Sequence, residues 1–204
     1  MREQVQHFGR VGLIGKDASD MRSVMIDGES GVMAVCPLWE RPVYKPSLRL
    51  LRWPNGAVSE CRTGEDPEGV RGIQFERVWA DEICAWAYPQ ETWDMVLMAL
   101  RLGEDPRACI TTTPKPIQLV RALIGDPDCV VTHGTTFDNL ENLGPTFQTI
   151  INQFEGTRLG RQELLAEVLD DEGLAYPYNE RLHVIRPFQL PASFDRFEHM
   201  DFGS

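Results

Sequence analysis

Two adjacent carboxylates, Asp81 and Glu82, follow the apolar run Val78-Trp79-Ala80. An apolar run that ends abruptly in acids is the pattern of a buried strand emerging at the carboxyl edge of a parallel sheet. That edge is where open α/β sheets bind ligands. In a nucleoside triphosphatase such a pair divides the work: the first carboxylate holds magnesium, directly or through water, and its neighbour orients and deprotonates the attacking water. On this reading Asp81 is the metal residue and Glu82 the base. The simpler alternative is that the pair caps a helix beginning near Ile83, where negative charge meets a helix N-terminus favourably.

Three further features bear on the choice. Ala108-Cys109-Ile110 leads into Thr111-Thr112-Thr113-Pro114, a second short buried strand breaking into a loop. A hydroxyl-rich strand end beside an acidic one can sense a γ-phosphate. Arg71-Gly72 lies upstream in a glycine-flanked loop, from which a guanidinium can reach phosphate; the alternative is a surface arginine paired with Glu65, Asp66 or Glu68. Lys16 follows the glycine-containing run 11–15, but Gly-x-x-x-x-Gly-Lys-Ser/Thr is absent and a strand-to-helix turn is the preferred reading. His133 has no metal-binding neighbours in sequence and reads as a structural, hydrogen-bonded residue.

The elements that position these groups follow from periodicity. Residues 11–15 and 78–80 read as parallel strands, and Asp17 caps a helix running through Met21 and Met25. A short helical piece is expected at 30–35. Residues 48–53 and 57–61 flank Pro54-Asn55-Gly56 as a hairpin, with Arg49 and Arg52 projecting from it. Residues 63–72 form a polar loop able to move. Trp86, Tyr88, Trp93, Val96, Leu97 and Leu100 recur at helical spacing behind Pro89, an aromatic stripe expected to pack in the core. A crossover helix at 116–124, a strand at 129–132, and helices at 146–154 and 160–169 complete the pattern. Residues 170–191 read as a linker.

The 204 residues suffice for one main domain with a short appendage, and the composition is that of an ordinary globular chain. No run has the length of a membrane span, so a soluble, intracellular protein is expected. Five widely spaced cysteines, without a Cys-x-x-Cys pair, support neither a zinc site nor a disulfide framework and are expected as reduced core residues. The net charge of −11 argues against general electrostatic coating of DNA. It is unevenly spread: residues 1–59 carry 8 basic and 6 acidic side chains, a net of +2, leaving −13 for the rest.

In order and spacing, these motifs resemble the ATPase half of the large terminase subunit of tailed bacteriophages and gene-transfer particles. Val78-Trp79-Ala80-Asp81-Glu82 is similar to its Walker B strand, Thr111-Thr112-Thr113-Pro114 to its coupling motif, and Arg71-Gly72 to the site of a trans-acting arginine finger. Residues 53–57, 136–139 and 156–164 add further matches. The resemblance implies a RecA-like α/β domain with a largely parallel sheet, flanking helices and an inserted hairpin. It also implies ATP and magnesium as cofactors, and Asn139 beside the nucleotide. Double-stranded DNA, the portal protein, the small terminase subunit and other copies in a ring would be its partners, in the host cytoplasm at the procapsid portal. Domain boundaries expected from it are an ATPase domain at 1–169, a linker at 170–196 and the first strand of a ribonuclease-H-like nuclease at 197–204. Asp201 matches a nuclease metal ligand, but one aspartate cannot form a two-metal site. Nothing in residues 1–10 matches the Walker A loop, so this chain alone is expected to be inactive. The alternatives are another motor of the same broad class, such as a helicase, or a non-enzymatic remnant or split-gene product.

Overall fold

The computed structural model describes residues 9–154 and 156–169. Strand β1, Arg10–Gly15, is buried from Val11 onward, as a strand covered on both faces must be. It pairs in parallel with β4, Val58–Thr63, on one side and with β5, Arg77–Asp81, on the other. β6, Arg107–Thr111, extends the parallel set beyond β5. On the far side, β3, Leu50–Arg52, pairs antiparallel with β4, and β2, Val43–Lys45, pairs antiparallel with β3. The sheet order is therefore β2-β3-β4-β1-β5-β6. The expected hairpin is present: Gly56 takes φ +88° and Asn55 accepts from the Ala57 N–H at 3.0 Å. Strand β2 was not expected from the proline-broken stretch around it; at three residues it is too short to show an alternation.

Helical segments cover both faces. Against one pack Met21, Met25, Ile26 and Val32 with Val11, Leu13 and Leu51. Against the other pack Trp86, Trp93, Val96, Leu119 and Val120 with Ile14, Val78 and Ala80. The chain after β1 turns as expected, the Asp17 carboxylate accepting from Asp20 N at 2.9 Å, but continues as a π-helix, Met21–Ile26. The wider turn lets the sequence neighbours Met25 and Ile26 both reach the core. The 30–35 piece is the single turn Val32–Val35. The loop at 63–72 contains a 3-10 turn, Pro67–Val70, capped by Asp66 and anchored by buried Val70. Helix Pro89–Ala99 begins at the proline and buries Trp93 and Val96, whereas Tyr88 and Leu97 are exposed and leave the stripe.

Four expectations are corrected. β6 is no buried strand: its residues alternate exposed and half-buried, because nothing among the described residues pairs with its outer edge. Residues 129–132 form no strand, with Val130 90% exposed, so helix Gln118–Gly125 does not act as a crossover within the described residues. The helix expected at 160–169 is Arg158–Glu163 and stops early, since Ala166 adopts a left-handed φ of 49°. Only Cys36 and Cys61 are buried; Cys109 is exposed on β6, and Cys84 and Cys129 are intermediate. No helix of the described residues is long and apolar enough to cross a membrane. The expected linker at 170–196, the nuclease strand at 197–204 and Asp201 lie outside the described residues.

Candidate active site

The four parallel strands end on one edge, at Gly15, Thr63, Asp81 and Thr111. Register makes Asp81 and Thr111 direct partners across β5 and β6. The Thr111 hydroxyl donates to Asp81 Oδ1 at 2.5 Å. One residue on, Glu82 turns through a left-handed φ of 51°, an uncommon conformation for a non-glycine residue that clusters at functional sites. Its Oε2 accepts the Thr113 N–H at 3.3 Å. Thr112 Oγ1 accepts the Cys84 N–H at 3.2 Å, and Cys84 Sγ accepts the Lys115 N–H at 3.3 Å. The threonine segment is thus joined residue by residue to the acidic turn.

Glu82 stands at the N-cap of the 3-10 turn Ile83–Ala85 but makes no side-chain cap bond to it, so hydrogen-bonded capping is not its role. Burial raises the pKa of Glu82; the Thr113 N–H opposes this, and the negative charges of Asp81, Glu163 and Asp20 add to it. A carboxyl held above its ordinary value accepts a proton more readily near neutral pH. Among the described residues no group of three or more His, Cys, Asp and Glu could hold a metal ion alone. One or two carboxylates, with water and phosphate oxygens completing the shell, is how magnesium is held in phosphoryl-transfer sites, and Asp81 fits that donor set.

Sequence reasoning missed several supporting residues. Trp86 Nε1 donates to the Asp81 carbonyl at 2.8 Å, and Trp79 Nε1 donates to Thr111 Oγ1 at 3.1 Å. Asp20 and Glu163 come to Glu82 from distant segments. No local pattern marks these roles; they depend on strand register and packing. The other residues singled out in the sequence make their hydrogen bonds and ion pairs elsewhere. Arg71 gives both of its side-chain hydrogen bonds to Glu68, at 2.5 and 2.7 Å, on an exposed loop. Asn139 is exposed and accepts from Asn142 Nδ2 at 2.7 Å within the 3-10 segment Thr136–Asn142. Lys16 is exposed and lies 3.8 Å from Asp17. His133 Nε2 contacts the Leu165 carbonyl at 3.0 Å, the structural role expected of it.

The model of the N-terminal part of the T4likevirus-type terminase large subunit matches residues 4–182. The chain belongs to the large terminase family. Solved structures agree on the fold. The large terminase from a thermophilic bacteriophage is 14% identical with a TM-score of 0.62, over 81% of this chain and 43% of that one. The same phage's large terminase in complex with ADP gives 14% and 0.61, over 81% and 42%. The large terminase ATPase domain of Thermus phage P74-26 is 16% identical with a TM-score of 0.57, over 82% of this chain and 80% of that domain. The terminase chain described here thus spans less than half the length of the first of these proteins. At these identities the likeness establishes a RecA-like terminase ATPase fold. No curated protein matches the chain.

Proposed function

We propose that this terminase chain supplies the hydrolytic half of an ATP-driven motor that moves double-stranded DNA into a procapsid. The contact that supports this most directly is the pair of bonds from one threonine segment to the two acids, Thr111 to Asp81 and Thr113 N–H to Glu82. Asp81 holds magnesium, which when bound neutralises charge on the transferred phosphate of ATP. Glu82 Oε2 is steadied by the Thr113 N–H, which leaves Oε1 to align a water and accept its proton. Thr111, Thr112 and Thr113 couple the two, because any displacement of Asp81 or Glu82 pulls on the loop that follows β6. Asn139 is assigned to the nucleotide side of that coupling. Arg71 is held by Glu68 within one subunit and is assigned to phosphate contact across a subunit boundary in a ring. That exchange of partners requires the exposed Glu68 pair to open, which costs little in water.

The thermophilic phage's large terminase is solved in complex with ADP, which supports an adenine nucleotide as the ligand of this chain. The portal protein and small terminase subunit are the proposed partners, in the host cytoplasm. A phosphate-binding loop is not identified among the described residues. Nuclease activity is not assigned to these residues.

ATP-dependent protection of double-stranded DNA from added nuclease, in the presence of the cognate procapsid, tests this reading. Protection that disappears on Glu82→Ala is the expected result. Strand separation without procapsid-dependent protection would contradict the packaging reading.

A further inference from the structure

Trp79 and Asp81 lie on the same face of β5, and Cys109 and Thr111 are their partners on β6. Trp79 and Thr111 are therefore diagonal neighbours, and the long indole spans the gap to place Nε1 3.1 Å from Thr111 Oγ1. An indole N–H only donates, so Thr111 accepts there. An ionised carboxylate only accepts, so Thr111 donates in the 2.5 Å contact with Asp81 Oδ1. The hydroxyl has one proton, and its other available acceptor is the Ala80 carbonyl at 3.5 Å.

We infer that Trp79 is a positioning residue for Asp81: by occupying an acceptor site on Thr111 it directs the hydroxyl proton onto Oδ1, leaving Oδ2 to face a cation. Phenylalanine in its place would fill much of the same space yet free the hydroxyl to turn toward Ala80. The purpose rests on Asp81 being the metal-side acid of the motor, but the arrangement is measurable with no nucleotide present. A wild-type protein that fails to hydrolyse ATP would therefore sink the motor reading without touching this one.

The test follows the Asp81 carboxylate carbon by NMR in the 204-residue chain, with Asp81→Asn as the assignment control. Trp79→Phe and Thr111→Val should shift this signal in the same direction, and the double variant no further than Thr111→Val alone, since the two bonds act in series. Thr111→Ser, which keeps the hydroxyl, should restore it. Trp53→Phe removes an indole bond to Ser59 within the core cluster that Trp79 also packs against, without touching Thr111, and should leave it unmoved. A signal that moves with Thr111→Val but not with Trp79→Phe overturns the inference, as does an equal shift from Trp53→Phe. If Trp79→Phe does not fold, the Trp79 indole proton provides the reading. It should move upfield in Thr111→Val and stay in Thr111→Ser, and an indole signal indifferent to Thr111→Val contradicts the relay.

Discussion

Glu82 carries the sharpest residue-level consequence of the fold. Its pKa is raised, by burial first and by Asp81, Glu163 and Asp20 besides, so folding favours the protonated carboxyl. The native state then binds more protons than the unfolded chain between the unfolded and the folded pKa, and stability falls as pH rises through that window. Glu82→Gln should therefore be more stable than wild type at pH 7. The gain should be only about 0.5 kcal/mol, because the group is part-buried and water screens it. Below about pH 4 the difference should vanish, as both states then hold the proton. Thermal unfolding at the two pH values checks this, and a destabilised Gln variant at pH 7 would contradict it. The acid pair and the threonine segment were legible in the sequence because strand ends announce themselves by an abrupt change of polarity. The parts played by Trp79, Trp86 and Glu163 were not, since each depends on which residue stands opposite in a neighbouring element.

Between elements, Gly64 marks the tightest fit near the site. It follows β4, donates to the Gly15 carbonyl at 2.8 Å and accepts from Thr92 Oγ1 at 3.2 Å. A Cβ added there would stand 2.2 Å from Trp86 Cγ, the ring whose Nε1 holds the Asp81 carbonyl. Gly64→Ala should cost about 2 kcal/mol or more, seen as a lowered denaturant midpoint, because the indole has no room to retreat. An unchanged midpoint would mean that Trp86 is not packed as described. β6 makes a second prediction. Cys109 is exposed on this open edge, whereas Cys61 is buried and its thiol is pushed up to about 12. A thiol reagent under native conditions should label Cys109 ahead of Cys36 and Cys61, which should react only on unfolding; early labelling of Cys61 would contradict the packing. The strand expected at 129–132 shows where periodicity misleads. Val130 and Val131 have strand-forming side chains, yet strands are made by partners, and none meets them among the described residues. The parallel strands β1 and β5 were readable because central strands are apolar on both faces, while β2 and β6 are edge strands with weaker signatures.

At the scale of the whole molecule, the acids crowd one sheet edge and the charges named around Glu82 are all negative. On the proposed reading such a site is completed by cations from outside these residues, a magnesium ion and an arginine from the next subunit in a ring. Arg71 is exposed on a loop that Arg62 fastens to β4 through a 2.8 Å bond to the Gly69 carbonyl. Its guanidinium is thus exposed and engaged by Glu68 on that loop. The central claim is that Asp81 and Glu82 form the hydrolytic centre of a packaging motor. Its most direct test is magnesium-dependent ATP hydrolysis by the terminase, compared with its Glu82→Gln variant. Turnover in the wild type and a loss of about a hundredfold or more in the variant, with ATP binding retained, is the expected result. Turnover that survives Glu82→Gln would place the catalytic base elsewhere and contradict the account.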